Sequence, residues 1–225
     1  QLTRRQVTHR RTGVAPLTRS QAWTYTAQGQ VQTETRAPGA ALSLTTHYQY
    51  DAYGNPTHVT TGGPAAAAQR TTTTTYDPQG LRPSDTTQAM GHTEHYTYDA
   101  AGNRTALTDA NGRTTRWAYD TLGRNTHTTH PDGRTTTTTY AWDHRLPQAA
   151  LCITTTRSGQ APQTTHYDHQ HRPLRQSHTG FDGRLIYQDT TYDRFGRVAQ
   201  QSHPYVAGET RAWITFGYDA LDRAI

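Results

Sequence analysis

Lysine is absent from the 225 residues, so all 22 basic side chains are arginine. A single cysteine, Cys152, excludes an internal disulfide framework and a four-cysteine zinc site. Strongly apolar residues are scarce: Leu, Ile, Val and Phe together number 25, about 11% of the chain. That is too few for an ordinary globular enzyme core. No apolar run approaches the roughly 18 residues that a membrane-spanning helix needs. Gln1-Leu2-Thr3-Arg4-Arg5 has neither a starting Met nor an apolar leader core behind it. The sequence is therefore expected to be a piece of a longer polypeptide.

A shortage of apolar residues accompanies disorder when net charge is high, but here the formal charge is only +5. The missing residues are replaced by 45 Thr, 14 Tyr and 4 Trp. All three types favour strands. Composition thus points to an extended β protein without a thick two-sheet core. A pI near 9.5 would permit nucleic-acid contact. The arginines, however, are scattered and do not alternate with aromatic residues along a basic stripe, so no specific nucleic-acid partner is expected.

Self-similarity governs the rest. Tyr-Asp pairs stand at Tyr50-Asp51, Tyr76-Asp77, Tyr98-Asp99, Tyr119-Asp120, Tyr167-Asp168, Tyr192-Asp193 and Tyr218-Asp219. Tyr140-Ala141-Trp142-Asp143 is a degenerate copy, and Tyr25 opens a weaker one. From Tyr25 onward these tyrosines are 21 to 27 residues apart, which marks a repeat architecture. Five pairs carry Gly three residues after the Asp: Gly54, Gly80, Gly102, Gly123 and Gly196. Each residue type has a task. Asp can accept a hydrogen bond from the backbone two residues on, and Gly takes positive φ without a Cβ penalty. Tyr closes the incoming strand with a ring that packs on its neighbours. These Tyr, Asp and Gly residues are the expected structural anchors, including the pairs at Tyr167, Asp168, Tyr218 and Asp219 that lack the glycine.

A second turn falls midway through each period, as at Asp109-Ala110-Asn111-Gly112 and His130-Pro131-Asp132-Gly133. Two turns per period leave strands of normal length. The pattern predicts strands over His92–Tyr98, Asn103–Thr108, Arg113–Tyr119, Arg124–His130 and Arg134–Tyr140. It also predicts a sheet that begins near Trp23 and ends with a strand over Ala212–Tyr218. The aromatic residues gather at the Tyr end of each strand while both faces stay otherwise polar. A sheet wetted on both sides fits that better than a sandwich. The fold class expected is all-β: a repetitive antiparallel hairpin meander over residues 25–225, preceded by a degenerate or partial repeat over 1–24.

The combination Tyr-Asp-x-x-Gly-Arg/Asn resembles the YD-repeat, or RHS-repeat, family of large bacterial polymorphic toxins. The matching segments include Tyr98-Asp99-Ala100-Ala101-Gly102-Asn103, Tyr119-Asp120-Thr121-Leu122-Gly123-Arg124 and Tyr192-Asp193-Arg194-Phe195-Gly196-Arg197. The resemblance implies a β-sheet that spirals into part of a hollow shell around a C-terminal toxin domain. It also implies partners in the remaining shell, the enclosed toxin and secretion-apparatus proteins such as those of type VI systems, with delivery out of the cell. Wall-associated and adhesive relatives suggest an alternative, a module that binds surface carbohydrate. Three departures from the pattern imply wider or bent turns: Tyr140 is followed by no Gly, the Tyr167-Asp168 pair leads to Arg172-Pro173, and Tyr218-Asp219 leads to Asp222.

Several groupings have the appearance of chemistry. His166, His169 and His171 flank Asp168 and could hold a transition metal, yet they sit on an expected turn where solvated polar residues belong. His127 and His130 have the same reading. Asp77-Pro78-Gln79-Gly80-Leu81 resembles the self-cleavage element that ends RHS shells, but it lies inside an ordinary repeat. Cys152, in the apolar strand Leu151-Cys152-Ile153, reads as buried and inert, with no His or Asp in a nucleophile pattern around it. The sequence therefore predicts no catalytic residue, no cofactor and no metal.

Overall fold

The computed structural model describes residues 3–11, 14–40, 43–63, 69–143 and 146–225, with backbone alone over 9–11 and 14–17. It contains nineteen strands and, among the described residues, no helix. The chain divides after Thr114 into two compact units.

The first unit carries β1 (Arg4–Arg11), β2 (Val14–Tyr25), β3 (Val31–Arg36), β4 (Leu44–Tyr50), β5 (Pro56–Gly62), β6 (Arg70–Tyr76), β7 (Pro83–Thr87), β8 (Thr93–Tyr98) and β9 (Arg104–Thr108). Each pairs antiparallel with the next. In the second unit lie β10 (Thr114–Tyr119, whose first residue precedes the division), β11 (Asn125–Thr129), β12 (Thr135–Trp142), β13 (Ala149–Arg157), β14 (Gln163–Asp168), β15 (Pro173–Thr179), β16 (Leu185–Tyr192) and β17 (Val198–Ser202). These again pair in chain order, all antiparallel. Two short strands, β18 (Tyr205–Val206) and β19 (Trp213–Thr215), pair with β16 and β17. The protein is thus the antiparallel meander that the repeat predicts.

Predicted strand starts at His92, Asn103, Arg113, Arg124 and Arg134 each fall one residue early. The carbonyls of those residues accept the N–H that closes the preceding turn, as in Gln88 N to His92 O at 2.8 Å and Asp99 N to Asn103 O at 3.0 Å. Two boundary expectations are corrected. The sheet begins at Arg4 rather than near Trp23, because the polar residues of β1 and β2 form a hairpin of their own. The last strand is Trp213–Thr215 rather than Ala212–Tyr218, and Tyr218 makes an isolated bridge to Ala224.

Threonine supplies the cohesion that an apolar core would supply elsewhere. Hydroxyl pairs bridge neighbouring strands at Thr24–Thr33 (2.7 Å), Thr35–Thr45 (3.1 Å), Thr46–Thr61 (3.0 Å), Thr60–Thr71 (2.8 Å) and Thr154–Thr164 (2.9 Å). Each such cross-strand pair contributes about 0.2–1 kcal/mol, so a ladder of them matters while no single one decides the fold. Among the described residues, the buried apolar side chains are only Ala106, Ala149, Ala150, Cys152 and Tyr205. Four of the five lie in the second unit, and three of those in β13.

Candidate functional site

Six of the seven Tyr-Asp pairs close an even-numbered strand, so in each unit these turns gather at one end of the hairpins, while Tyr218-Asp219 follows β19. Tyr50, Tyr76, Tyr98, Tyr119, Tyr167 and Tyr192 each sit at a shift of register, where the outgoing strand carries one residue more than its partner. Such a bulge bends and twists the pair locally.

Beyond each Tyr the Asp organises the turn. Its Oδ1 accepts two backbone N–H groups: from Tyr53 and Asn55 at Asp51, from Leu122 and Arg124 at Asp120, and from Phe195 and Arg197 at Asp193, all between 2.9 and 3.0 Å. The second oxygen takes the side chain four residues on. Asn55 and Asn103 donate to Asp51 and Asp99 at 3.1 and 3.0 Å. Arg124, Arg172, Arg197 and Arg223 donate through Nε to Asp120, Asp168, Asp193 and Asp219 at 2.6–2.8 Å. These bonds favour the charged carboxylate. The side-chain amide and then the backbone N–H of Asn103 hold the Asp99 carboxyl below its ordinary range, and the backbone N–H of Arg124 leads in doing so for Asp120. At Asp51, Asp168 and Asp193 burial pushes upward, but the hydrogen bonds from Asn55, Arg172 and Arg197 outweigh it.

The turn glycines take left-handed φ: 90° at Gly54, 66° at Gly80, 92° at Gly102, 74° at Gly123 and 84° at Gly196. The turns that lack Gly hold the same shape, which corrects the expectation of wider turns there. His171 and Asp222 both have φ 60°, and their N–H groups bond Asp168 O and Asp219 O at 3.0 and 3.1 Å. His and Asp are among the side chains that tolerate this region best. The Asp77 turn is one residue longer than its siblings: Asp77 N bonds Arg82 O, and Leu81 N bonds Asp77 Oδ1 at 2.7 Å. Only after Tyr140 does the turn give way to a longer loop, closed by Asp143 N to Ala150 O at 3.3 Å.

What spacing alone did not reveal is that successive turns touch. The Arg held by one Asp lies over the Tyr ring of the next repeat: Arg124 over Tyr140 (4.2 Å to the centroid), Arg172 over Tyr192 (4.5 Å) and Arg197 over Tyr218 (4.4 Å). Arg82 reaches Tyr98 in the same way at 5.8 Å. The Tyr hydroxyl then donates back to the strand that leaves the turn of the preceding repeat, as in Tyr50 to Val31 O (2.7 Å), Tyr192 to Pro173 O (2.9 Å) and Tyr218 to Val198 O (2.9 Å). Asn55 adds a bond to Gly80 O at 2.7 Å. The signal was present in sequence, since Arg or Asn recurs after the Gly, but its partner lies a whole repeat away.

The other expected groupings separate. Of His166, His169 and His171, only His166 turns inward. Its Nδ1 lies 3.0 Å from Asp143 Oδ2, and it is the direct cross-strand partner of Cys152. The sequence shows no His or Asp in a nucleophile pattern around Cys152, but the fold brings one of each to it: donor atoms of Asp143, Cys152 and His166 all lie within 4.8 Å of one another. Cys152 is buried, as its apolar strand implies. His127 stands in β11 and contacts Thr137 of β12, while His130 lies in the turn beyond.

The RHS Repeat family matches residues 76–114 and 98–135. Comparison with curated proteins finds no match. Among solved structures, the chain is similar to TcdB2-TccC3 at 16% identity and TM-score 0.46, covering 99% of this chain and 13% of that one. For TcdB2-TccC3 without its hypervariable C-terminal region the figures are 13%, 0.42, 98% and 16%. For the Photorhabdus luminescens Tc holotoxin pore they are 14%, 0.32, 92% and 13%. The chain thus spans no more than 16% of these proteins. The RHS repeat is thus matched across residues 76–135, and Tyr-Asp pairs of the same kind recur along the chain from Tyr50 to Asp219.

Proposed function

We propose that the chain is a non-catalytic wall segment of an RHS shell, which encloses and helps deliver a toxin domain carried on the same longer polypeptide. The observation that carries this reading is the column of Asp-Arg-Tyr contacts between successive turns. It is a device for adding repeats one after another, with no dependence on a central core. The Tyr, Asp and Gly residues of the turns act as the anchors of that column. A wall wetted on both faces also accounts for the thin burial and for exposed rings such as Trp142 and Phe181. The remaining shell, its cargo and secretion components are the partners this reading implies.

An open groove of about 450 Å³ between Tyr48, Tyr50, Tyr53 and Gln30 favours carbohydrate as an alternative partner, because stacked rings beside amides suit a sugar. Limited proteolysis of the polypeptide with its natural flanking sequence decides between the two. The shell reading expects a C-terminal domain that resists protease until the sheet unfolds. A C-terminal domain cut as fast as a free one, together with binding to glycan beads lost on Tyr53→Ala, would favour the carbohydrate module.

A further inference from the structure

We propose that Asp143, Cys152 and His166 form a binding site for a thiophilic divalent metal ion, zinc by preference, built where the repeat breaks its own turn pattern. The three donors come from consecutive strands. Asp143 directly follows β12, Cys152 lies in β13, and His166 lies in β14. Cys152 faces both Ala141 and His166 as register partners, so sulfur and imidazole share one face of the sheet.

The environment suits a metal better than it suits solvated side chains. The Asp143 side chain is 2% exposed and that of His166 13%. Cys152 is 6% exposed, beside the buried Ala149 and Ala150. Asp143 Oδ2 lies 3.0 Å from His166 Nδ1, so carboxylate and imidazole already face each other. Tetrahedral zinc holds its ligands at about 2.0–2.3 Å, which sets neighbouring ligand atoms roughly 3.5 Å apart. Donors already within 4.8 Å of one another need only a small inward movement.

Charge and ligand type point the same way. On binding, the Cys152 thiol gives its proton to solvent, and a metal–sulfur bond forms. One thiolate and one carboxylate balance a doubly charged ion, and a neutral His166 nitrogen adds no charge. The site is then neutral overall, which is what a buried position favours. A thiolate with an imidazole selects zinc, cobalt or copper over magnesium and calcium. A water molecule would complete four-fold coordination. The same three residue types could form a nucleophile with its base, and the rate at which the thiol alkylates tells the two apart.

The test is cobalt and zinc titration of the purified chain. The expected result is one equivalent of cobalt bound with a thiolate-to-metal charge-transfer absorption, displaced by zinc. That absorption should vanish in Cys152→Ser, and affinity should fall at least about tenfold in His166→Gln and Asp143→Asn. A second measurement, independent of how the variants fold, uses the unaltered chain: one equivalent of zinc should slow iodoacetamide alkylation of Cys152, and a chelator should restore it. Absence of the sulfur band, binding unchanged in Cys152→Ser, or alkylation indifferent to zinc would each overturn the proposal. So would a thiol that alkylates faster than free cysteine whether or not zinc is added, which would mark a nucleophile instead.

Discussion

The two sets of turns in this protein are built alike and packed differently. Tyr-Asp turns and intervening turns both close with a glycine at left-handed φ, for example 92° at Gly102 and 75° at Gly112. Both use the same main-chain bonds, with Gly102 N on Asp99 O and Gly112 N on Asp109 O. The difference lies in what stands against the glycine. A Cβ on Gly54 would come 2.9 Å from the Gln30 amide, one on Gly80 2.3 Å from the Tyr53 ring, and one on Gly102 2.4 Å from the Arg82 guanidinium. At Gly39, Gly91, Gly112, Gly133, Gly159, Gly183 and Gly208 it would meet nothing within 4 Å. A sheet with little core is therefore bound together along one end of its hairpins, and there each turn is the floor on which the next one packs.

The largest effect should separate the two sets at their glycines. Val at either kind of turn meets the cost of left-handed φ, about 1–2 kcal/mol. At Gly80 it must also displace the Tyr53 ring, a further cost of about 1–3 kcal/mol for overpacking, whereas at Gly102 the flexible end of Arg82 can swing aside. Urea unfolding of Gly80→Val against Gly112→Val measures the gap. Equal losses would show that φ alone selects glycine and that the column adds nothing.

The next test concerns the arginines. Arg124 lies over the Tyr140 ring and grips Asp120, whereas Arg134 follows an intervening turn with its side chain 77% exposed. Loss of the stacked cation in Arg124→Ala should cost about 1 kcal/mol. Arg134→Ala should stay within about 0.5 kcal/mol of the unaltered chain. Arg124→Lys should not rescue, because an ammonium cannot hold the carboxylate through a planar fork while covering the ring. If Lys restored the urea midpoint in full, simple charge rather than stacked geometry would bind the turns.

These contrasts also show how far the sequence could be read. The period, the Tyr-Asp-x-x-Gly turns and the strands between them were legible because they are local. Asp51 bonds residues two and four positions away, and Gly54 answers a demand of its own turn. The column was not legible in the same way, since Arg124 and Tyr140 are neighbours only after two strands have paired. Asp143, Cys152 and His166 were hidden for that reason too, being drawn together by register across β12, β13 and β14. The turns at His171 and Asp222 misled for a different reason. Main-chain hydrogen bonds hold the left-handed shape at both, and the Arg197 guanidinium adds a bond to Asp222, even though no glycine is present.

Acid should loosen the Tyr-Asp turns, and the sign follows from the carboxylates. Asp99 and Asp120 titrate below their ordinary range when folded, Asp99 through the Asn103 amide and Asp120 through the Arg124 backbone N–H. Their contribution is complete above the unfolded value, about 3.9, and disappears as pH falls through the lower folded values. Stability should therefore decline below about pH 4 and hold steady above it. Asp120→Asn should flatten part of that decline, as read from urea midpoints across the acid range. An unchanged slope would place the acid sensitivity outside this turn.

The smallest effect expected is a gain. His171 holds φ 60° where its sibling turns have glycine, and its N–H still bonds Asp168 O at 3.0 Å. Glycine there relieves a left-handed strain of about 1–2 kcal/mol. It also loosens the unfolded chain, which returns about 0.4–1 kcal/mol of the benefit. The balance favours His171→Gly by about 0.5 kcal/mol. Two outcomes of the urea midpoint would be informative. A rise of that order would show that the turn tolerates a strained residue because the column holds it in place. A fall would mean that the imidazole makes a contact worth more than the strain, and the likeness between the glycine and non-glycine turns would end at their backbones.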